Sequence, residues 1–135
     1  MRRTVALAAL LALVLSACGS APAKQDSKFT GDSAQVAKLV DDLAEAGRKG
    51  DADKICAQIL AKSLIDELKS AGGDCVTEMH RAITDATDYD LQVDDVKVTG
   101  ATATAKVRQG TSKKVAIFSF IKEKGGWRAS ALGGS

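Results

Sequence analysis

The chain has 135 residues, of which 45% are apolar and 27% are charged, with a formal net charge of +2 at neutral pH. This length suits one domain that buries about two thirds of its unfolded surface. Without Arg2 and Arg3 at the N-terminus, 17 basic residues face 17 acidic ones. Because the charges balance, the sequence gives no electrostatic reason to expect binding to nucleic acids or other polyanions.

The first 17 residues have the parts of an export signal. Met1–Arg3 is positively charged, Val5–Val14 is entirely apolar, and small residues follow at positions 16 and 17. The 13 residues of Val5–Ala17 are fewer than the about 20 that a membrane-spanning helix needs. We therefore predict a signal peptide over residues 1–17. Export by the twin-arginine route, suggested by Arg2 and Arg3, is an alternative.

Leu15-Ser16-Ala17-Cys18 resembles the lipobox of bacterial lipoproteins. The resemblance covers residues 1–18 and implies that the peptide is cut before Cys18, which carries a diacylglyceryl thioether and is often acylated on its new amine. Each buried methylene contributes about 0.8 kcal/mol, so two or three acyl chains hold a protein essentially permanently. The resemblance thus implies a lipid anchor at the extracytoplasmic face of the cell membrane. An ordinary secretory signal with an unmodified cysteine is the alternative.

Two cysteines, Cys56 and Cys75, remain once Cys18 is assigned to lipid. In an oxidising extracytoplasmic compartment we expect them to form a disulfide bond. Closing a loop of about 20 residues stabilises a protein by about 3 kcal/mol in the chain-entropy model. A redox pair or a metal site is the alternative, but those functions typically use the much shorter Cys-x-x-Cys spacing.

Residues 18–31 contain the only proline of the chain among small and polar residues, without periodicity. This composition predicts a flexible tether after the lipidated cysteine, followed by a single domain over residues 32–135. Phe29 is the one large apolar residue near the end of the tether, and we expect it to dock on the domain.

Helical periodicity runs from Asp32 to Thr87 in three segments. We expect Asp32 or Ser33 to cap the first helix and Gly50 to end it, Asp51 to cap the second, and Asp74 to cap the third. A break is expected near Ala61–Ser63, where the apolar stripe drifts. The residues predicted to face the core are Val36, Leu39, Val40, Leu43, Ala46, Ile55, Cys56, Ile59, Leu60, Leu64, Ile65, Leu68, Cys75, Val76, Met79 and Ile83.

After Asp88 the apolar period changes to two, which predicts strands. The phase slips across Asp94-Asp95, which predicts a β-bulge. Turns are expected at Gly100, at Gly110-Thr111-Ser112 and at the hairpin Lys124-Gly125-Gly126. The strand Val115–Lys122 is apolar on both faces, so we expect it to be central and covered on both sides. Ala101, Ala103, Ala105 and Val107 are expected to share one face of the preceding strand, and Trp127–Leu132 to close the sheet.

Helices followed by a four-strand antiparallel meander indicate an α+β domain with the helices on one face of the sheet. This order is similar to the nuclear transport factor two-like (cystatin-like) fold, with a curved sheet. Gly50-Asp51-Ala52, Ile55-Cys56, Cys75-Val76 and Gly126-Trp127-Arg128 resemble segments of small exported lipoproteins of GC-rich bacteria. The resemblance covers about residues 32–133.

Enzymes of that fold place an acid or base inside the cone between helices and sheet. His80, the only histidine, follows an inward position and is expected at the edge of its helix or in solvent. The acidic run Asp88, Asp90, Asp94 and Asp95 alternates with apolar residues, which predicts a solvated strand face rather than a calcium loop. Lys113, Lys114, Lys122, Lys124 and Arg128 are interpreted as charges that keep the strand ends soluble, and Tyr89 and Trp127 as core or rim residues.

No phosphate loop, nucleophile elbow or metal-ligand triplet occurs in the sequence. We therefore expect a lipid-anchored, non-catalytic envelope protein without a cofactor, whose domain binds a partner protein or a small apolar ligand. The alternative is a cone-fold enzyme, an isomerase or a cyclase, that uses His80 or a buried carboxylate as general base.

Overall fold

Helices pack on one face of a four-stranded antiparallel sheet in the computed structural model, which describes residues 28–86, 88–112 and 114–133. The helical elements are α1 (Gly31–Lys49), the short α2 (Ala52–Lys54), a π-helical turn (Ile55–Ile59), α3 (Lys62–Ser70) and α4 (Cys75–Asp85). The strands are β1 (Leu91–Thr99), β2 (Thr102–Gln109), β3 (Lys114–Glu123) and β4 (Gly126–Leu132), in the spatial order β1-β2-β3-β4. The predicted α+β class and antiparallel meander are confirmed.

The first helix, α1, buries the predicted face but begins differently from the prediction. Its N-cap is Thr30, so the prediction of a cap at Asp32 or Ser33 is wrong. The reason is that the Asp32 carboxylate is engaged elsewhere: it accepts hydrogen bonds from Trp127 Nε1 at 3.1 Å and from Lys122 Nζ at 3.0 Å. Gly50 ends the helix in the left-handed region, with φ of 69°, as predicted.

The second helical segment is interrupted where Leu60 and Ala61 become extended, at the start of the predicted break. Asp51 caps α2, as predicted, by accepting a hydrogen bond from the backbone N–H of Lys54 at 3.0 Å. The backbone N–H of Ala61 donates to the carbonyl of Ala129 in β4 over 2.7 Å. The extended residues therefore cover part of the edge of β4, which would otherwise offer unpaired backbone groups.

The third predicted helical segment forms α4. This helix starts after the predicted cap Asp74, whose side chain accepts a hydrogen bond from the backbone N–H of Thr77 at 3.1 Å. It ends at Asp85, before the predicted end near Thr87, a residue outside the described ranges. The Sγ atoms of Cys56 and Cys75 lie 2.01 Å apart, a disulfide distance that agrees with the predicted bridge. The bridge joins the π-helical turn to the first residue of α4.

The sheet contains the predicted β-bulge and a second one that was not predicted. In β1 the register with β2 shifts between Val93 and Asp95, so that Asp94 is the extra residue. In β4, Ala129 and Ala131 pair with consecutive residues of β3, so that Ser130 is the extra residue. The connecting turns lie at the predicted glycines, Gly100, Gly110 and Gly125, all with positive φ.

The core lies between the helices and the inner face of the sheet. Phe29 packs against it, as predicted. The buried cluster consists of Val36, Val40, Ala46, Ile55, Ile59, Leu60, Cys75, Val93, Ala103, Ala105, Val107, Phe118, Phe120, Trp127 and Ala129. Among the described residues, this cluster and the apolar residues packed on it all lie between Phe29 and Leu132, so a chain that begins at Gly19 keeps all of them.

The outer face of the sheet corrects two predictions. β3 is central, but Val115 is 56% exposed and Ile117 is 40% exposed, so the predicted cover on both sides is absent among the described residues. The restricted χ1 of β-branched side chains raises their preference for strands, so their presence on both faces indicates a strand and does not by itself indicate cover. Ala101 is exposed and precedes β2, whereas Ala103, Ala105 and Val107 share the buried face as predicted.

Candidate functional site

A cleft of about 290 Å³ lies between α1, α4 and the inner face of the sheet. Its apolar walls come from these three elements together with Ile55 of the π-helical turn. The lining residues are Leu43, Ala44, Gly47, Ile55, Met79, Ala82, Ile83, Ala86, Asp88, Tyr89, Leu91, Gln109, Phe118 and Leu132. An apolar cleft with a few polar groups is the usual form of a small-molecule binding site.

One wall of the cleft is the side chain of Tyr89, which links the two helices. Its hydroxyl donates a hydrogen bond to the carbonyl oxygen of Ile83 in α4. Its ring lies against Gly47 of α1, where an added Cβ would be only 2.7 Å from the ring carbon Cδ1. The absence of a side chain at Gly47 therefore allows Tyr89 to close this side of the cleft.

Arg48, next to Gly47 in α1, makes a second contact between this helix and Tyr89. Its Nη1 lies 3.5 Å from the backbone carbonyl oxygen of Tyr89. Since Arg48 is exposed, and the lining comes from Gly47 and Tyr89, the guanidinium holds the backbone of the wall rather than lining the cleft.

Asp88 and Gln109 are polar residues of the cleft lining. Tyr89 follows Asp88 in the chain, before the start of β1. The two carboxylate oxygens of Asp88 accept hydrogen bonds from the backbone N–H groups of Asp90 at 2.9 Å and Thr111 at 3.2 Å. Asp88 also fills the space beside Gly110, where an added Cβ would lie 2.5 Å from Oδ2. The carboxylate is thus fixed in place by the β2–β3 turn.

The position of α4, which supplies the lining residues Met79, Ala82 and Ile83, is set at its start by the Cys56–Cys75 pair. Cys75 is buried, and its Cα lies 6.1 Å from that of Cys56. Met79 and Ile83 follow one and two turns later on the side that packs against the core. The covalent link therefore fixes the helix from which much of the cleft wall is built.

A polar connection at the other end of α1 holds the helix on the sheet. The indole of Trp127 in β4 and the ammonium of Lys122 in β3 both donate to Asp32, and that ammonium lies 5.6 Å from the centre of the Trp127 ring. The hydrogen bond from Trp127, followed by that from Lys122, lowers the pKa of Asp32. This connection positions α1 but is not part of the cleft.

The predicted site residues lie in different places. Cys18 is outside the described residues. His80 is exposed on α4 and is not among the residues that line the cleft. Of the described side chains, no charged or polar one is buried. His80 therefore lies outside the cleft, and Asp88, the carboxylate that lines it, is exposed.

The acidic run is divided between the cleft and the sheet. Asp88 belongs to the cleft, whereas Asp94, at the bulge, forms an ion pair with Arg108, with 2.6 Å between its Oδ1 and Nη2. The hydrogen bond from Arg108 lowers the pKa of Asp94. Asp90 and Asp95 are exposed, as predicted for a solvated face. Within the described ranges, no group of three potential metal ligands comes together.

The basic residues are also divided. Lys122 is engaged with Asp32 and Trp127, Lys114 and Lys124 are exposed near strand ends, and Arg128 is half-buried. Lys113 lies outside the described residues. The outer face of the sheet has a depression of about 410 Å³, to which Lys97, Thr102, Thr104, Ser119 and Ile121 contribute. Its lining is mixed, without the apolar walls of the cleft.

Sequence reasoning missed Gly47 and assigned Asp88 and Tyr89 no role in a site. The one available signal was a glycine on the buried face of α1, near the turn where the chain leaves the helix. Comparison with protein-family models, curated proteins and solved structures finds no match. Among the described residues, no helix has the length and hydrophobicity that a membrane span requires.

Proposed function

We propose that the protein is a bacterial lipoprotein whose domain binds a small apolar ligand in the cleft without catalysing a reaction. The observation that carries this proposal is the cleft of about 290 Å³, walled by apolar side chains of α1, α4 and the sheet and closed on one side by Tyr89. Burial of apolar surface there would provide the binding energy, at about 25 cal/mol per Å².

The anchor is the other part of the proposal. Leu15-Ser16-Ala17-Cys18 is a lipobox, and Cys18 carries the lipid at the extracytoplasmic face of the cell membrane. The predicted tether spans residues 18–31, of which the ten residues 18–27 precede the described part of the chain and would reach at most about 35 Å if fully extended. The disulfide-distance pair Cys56 and Cys75 supports an oxidising location.

The domain itself is, in our proposal, a small member of the nuclear transport factor two-like fold. The order of the helices and strands supports this, as does a cleft between the helices and the inner face of the sheet. Members of that fold that are enzymes need an acid or base in the cone. The exposed position of His80 argues against that alternative here.

A partner protein is the second candidate ligand. The observation that favours it is the exposed pair Val115 and Ile117 on the outer face of central strand β3. In that case the sheet, and not the cleft, would be the binding surface.

The anchor is tested by Cys18→Ala, which we expect to block lipidation and maturation and to leave an uncut or released species. Membrane fractionation and intact mass give the readout. An alanine variant that still fractionates with membrane at the mature mass would show that the lipobox assignment is wrong.

The cleft is tested by titrating the neutral dye N-phenyl-1-naphthylamine into the chain from Gly19 onward, which keeps every core residue of the described ranges. We expect saturable fluorescence enhancement, weakened in Ala82→Phe because Ala82 lines the cleft and a larger side chain there reduces the space for the dye. Ala57→Phe, at an exposed position of the π-helical turn outside the lining, is the matched control and should bind the dye normally. Equal dye binding by both variants would contradict the proposal.

A further inference from the structure

We infer that the cleft selects single-chain amphiphiles whose polar end carries no negative charge, such as an alcohol or an amine, over fatty acids of the same length. This inference rests on the proposed function, because it specifies the class of ligand for the same cleft. The size of the cleft and the charges at its polar side determine this preference.

The volume of the cleft limits the apolar part of the ligand. At about 290 Å³, the cleft has roughly twice the volume of an engineered 150 Å³ cavity that binds benzene. By that comparison it accommodates an apolar group of about ten to twelve carbon atoms. A single acyl chain or alkyl chain of that length fits, whereas a two-chain phospholipid does not.

Asp88 determines which polar end the cleft tolerates. Each of its oxygens accepts one backbone hydrogen bond, from Asp90 or from Thr111, and an ionised carboxylate oxygen can accept more than one. A hydroxyl or ammonium group can therefore donate to Asp88. A ligand carboxylate cannot donate and would be repelled by it.

The end of α4 adds negative potential at the same place. The cleft is lined by Ala82, Ile83 and Ala86, which belong to or directly follow the last turn of α4, where the partial negative charge of a helix lies. That last turn contains no basic residue, and the helix ends at Asp85. A negatively charged polar end would thus meet two unfavourable contributions, from the helix end and from Asp88.

Arg48, the cation in contact with Tyr89, does not line the cleft. It is exposed, and its guanidinium lies by the backbone carbonyl oxygen of Tyr89. Gln109, another polar lining residue, is uncharged and can either donate or accept a hydrogen bond.

The experiment compares 1-decanol, decylammonium and decanoate as competitors of bound N-phenyl-1-naphthylamine on the chain from Gly19 onward. We expect decanol and decylammonium to displace the dye with dissociation constants at least about tenfold lower than that of decanoate. If the dye binds and the three displace it equally, or decanoate displaces it best, the ligand preference is overturned while the apolar site stands. If the dye does not bind, the proposed function fails, and this inference with it.

The role of Asp88 is tested separately with Asp88→Asn, which removes the charge and keeps one acceptor oxygen. We expect decanoate to bind about tenfold more tightly to this variant, with decanol little changed. Asp90→Asn is the matched control, since Asp90 is an exposed neighbour outside the lining, and it should keep the wild-type ratios. An Asp88→Asn protein with a normal thermal transition and unchanged ratios would overturn the assignment. The wild-type comparison remains decisive if the variant does not fold.

Discussion

Gly47 and Tyr89 are in direct contact at one wall of the cleft, with the tyrosine ring occupying the space where a side chain at position 47 would begin. The contact connects the last turn of α1 to the segment between α4 and β1, and the Tyr89 hydroxyl continues it to Ile83. The wall of the cleft thus depends on the absence of a side chain at Gly47.

Gly47→Ala should destabilise the protein by about 1–3 kcal/mol, because the new methyl group overpacks against the Tyr89 ring. Alanine in a helix is otherwise favoured over glycine by about 0.5–1 kcal/mol. In a Tyr89→Ala background the same substitution should therefore become stabilising. Urea unfolding of the four proteins in this double-mutant cycle measures the coupling. A stabilising effect of Gly47→Ala in the wild-type background would contradict the contact.

Asp32 should make the free energy of unfolding depend on pH in the acidic range. Its pKa is lowered by the hydrogen bonds from Trp127 and Lys122, so the folded state favours the charged carboxylate. The contribution of the charged Asp32 to the free energy of unfolding is complete above the ordinary aspartate pKa of about 3.9. This contribution is lost as the pH falls through the lower pKa of the folded state. The urea midpoint of Asp32→Asn should lie below that of wild type at pH 7, and the gap should narrow toward pH 2.

Asp53→Asn is the control for Asp32, because Asp53 is an exposed aspartate of α2. It should change the midpoint little at either pH. If the difference in urea midpoint between wild type and Asp32→Asn widens as the pH falls, the charged form of Asp32 does not stabilise the folded state as we expect.

The pair Cys56 and Cys75 should be oxidised in the native protein and should stabilise it by about 3 kcal/mol, the chain-entropy value for a loop of this length. Intact mass after alkylation, with and without reductant, determines the oxidation state. Unfolding of the Cys56→Ser/Cys75→Ser double variant determines the stabilisation. Two free thiols in native, non-reduced protein would refute the bridge.

His80→Ala should leave the free energy of unfolding within about 0.5 kcal/mol of wild type, since exposed side chains away from special contacts contribute little. Any cellular phenotype of the protein should also persist. Trp127→Ala is the contrasting variant, because removing this buried indole should cost about 3–5 kcal/mol. A stable and exported His80→Ala protein without function would favour the enzyme alternative.

The elements that local patterns control were predictable from the sequence. The phase slip at Asp94-Asp95 located the β-bulge, and Gly50, Asp51 and Asp74 marked helix ends by their intrinsic conformational preferences. The cap of α1 was not predictable, because the carboxylate of Asp32 binds residues 90 and 95 positions away. The cleft was missed for the same reason, since Gly47, Ile83 and Tyr89 come together only through tertiary packing.

Strand β3 illustrates the opposite error, in which a strong local pattern predicted too much. Val115 and Ile117 have the composition of a covered strand, yet they are exposed on the outer face. Apolar alternation indicates where a strand lies, but its cover depends on elements elsewhere in the chain or on another molecule.

Methyl NMR of the chain from Gly19 onward, titrated with 1-decanol, tests ligand binding in the cleft most directly. We expect saturable chemical-shift changes at the methyl groups of Met79, Ile83 and Leu132, which line the cleft. Val115 and Ile117, on the outer face of the sheet, should not shift. Shifts confined to Val115 and Ile117, or no shifts at all, would contradict binding in the cleft.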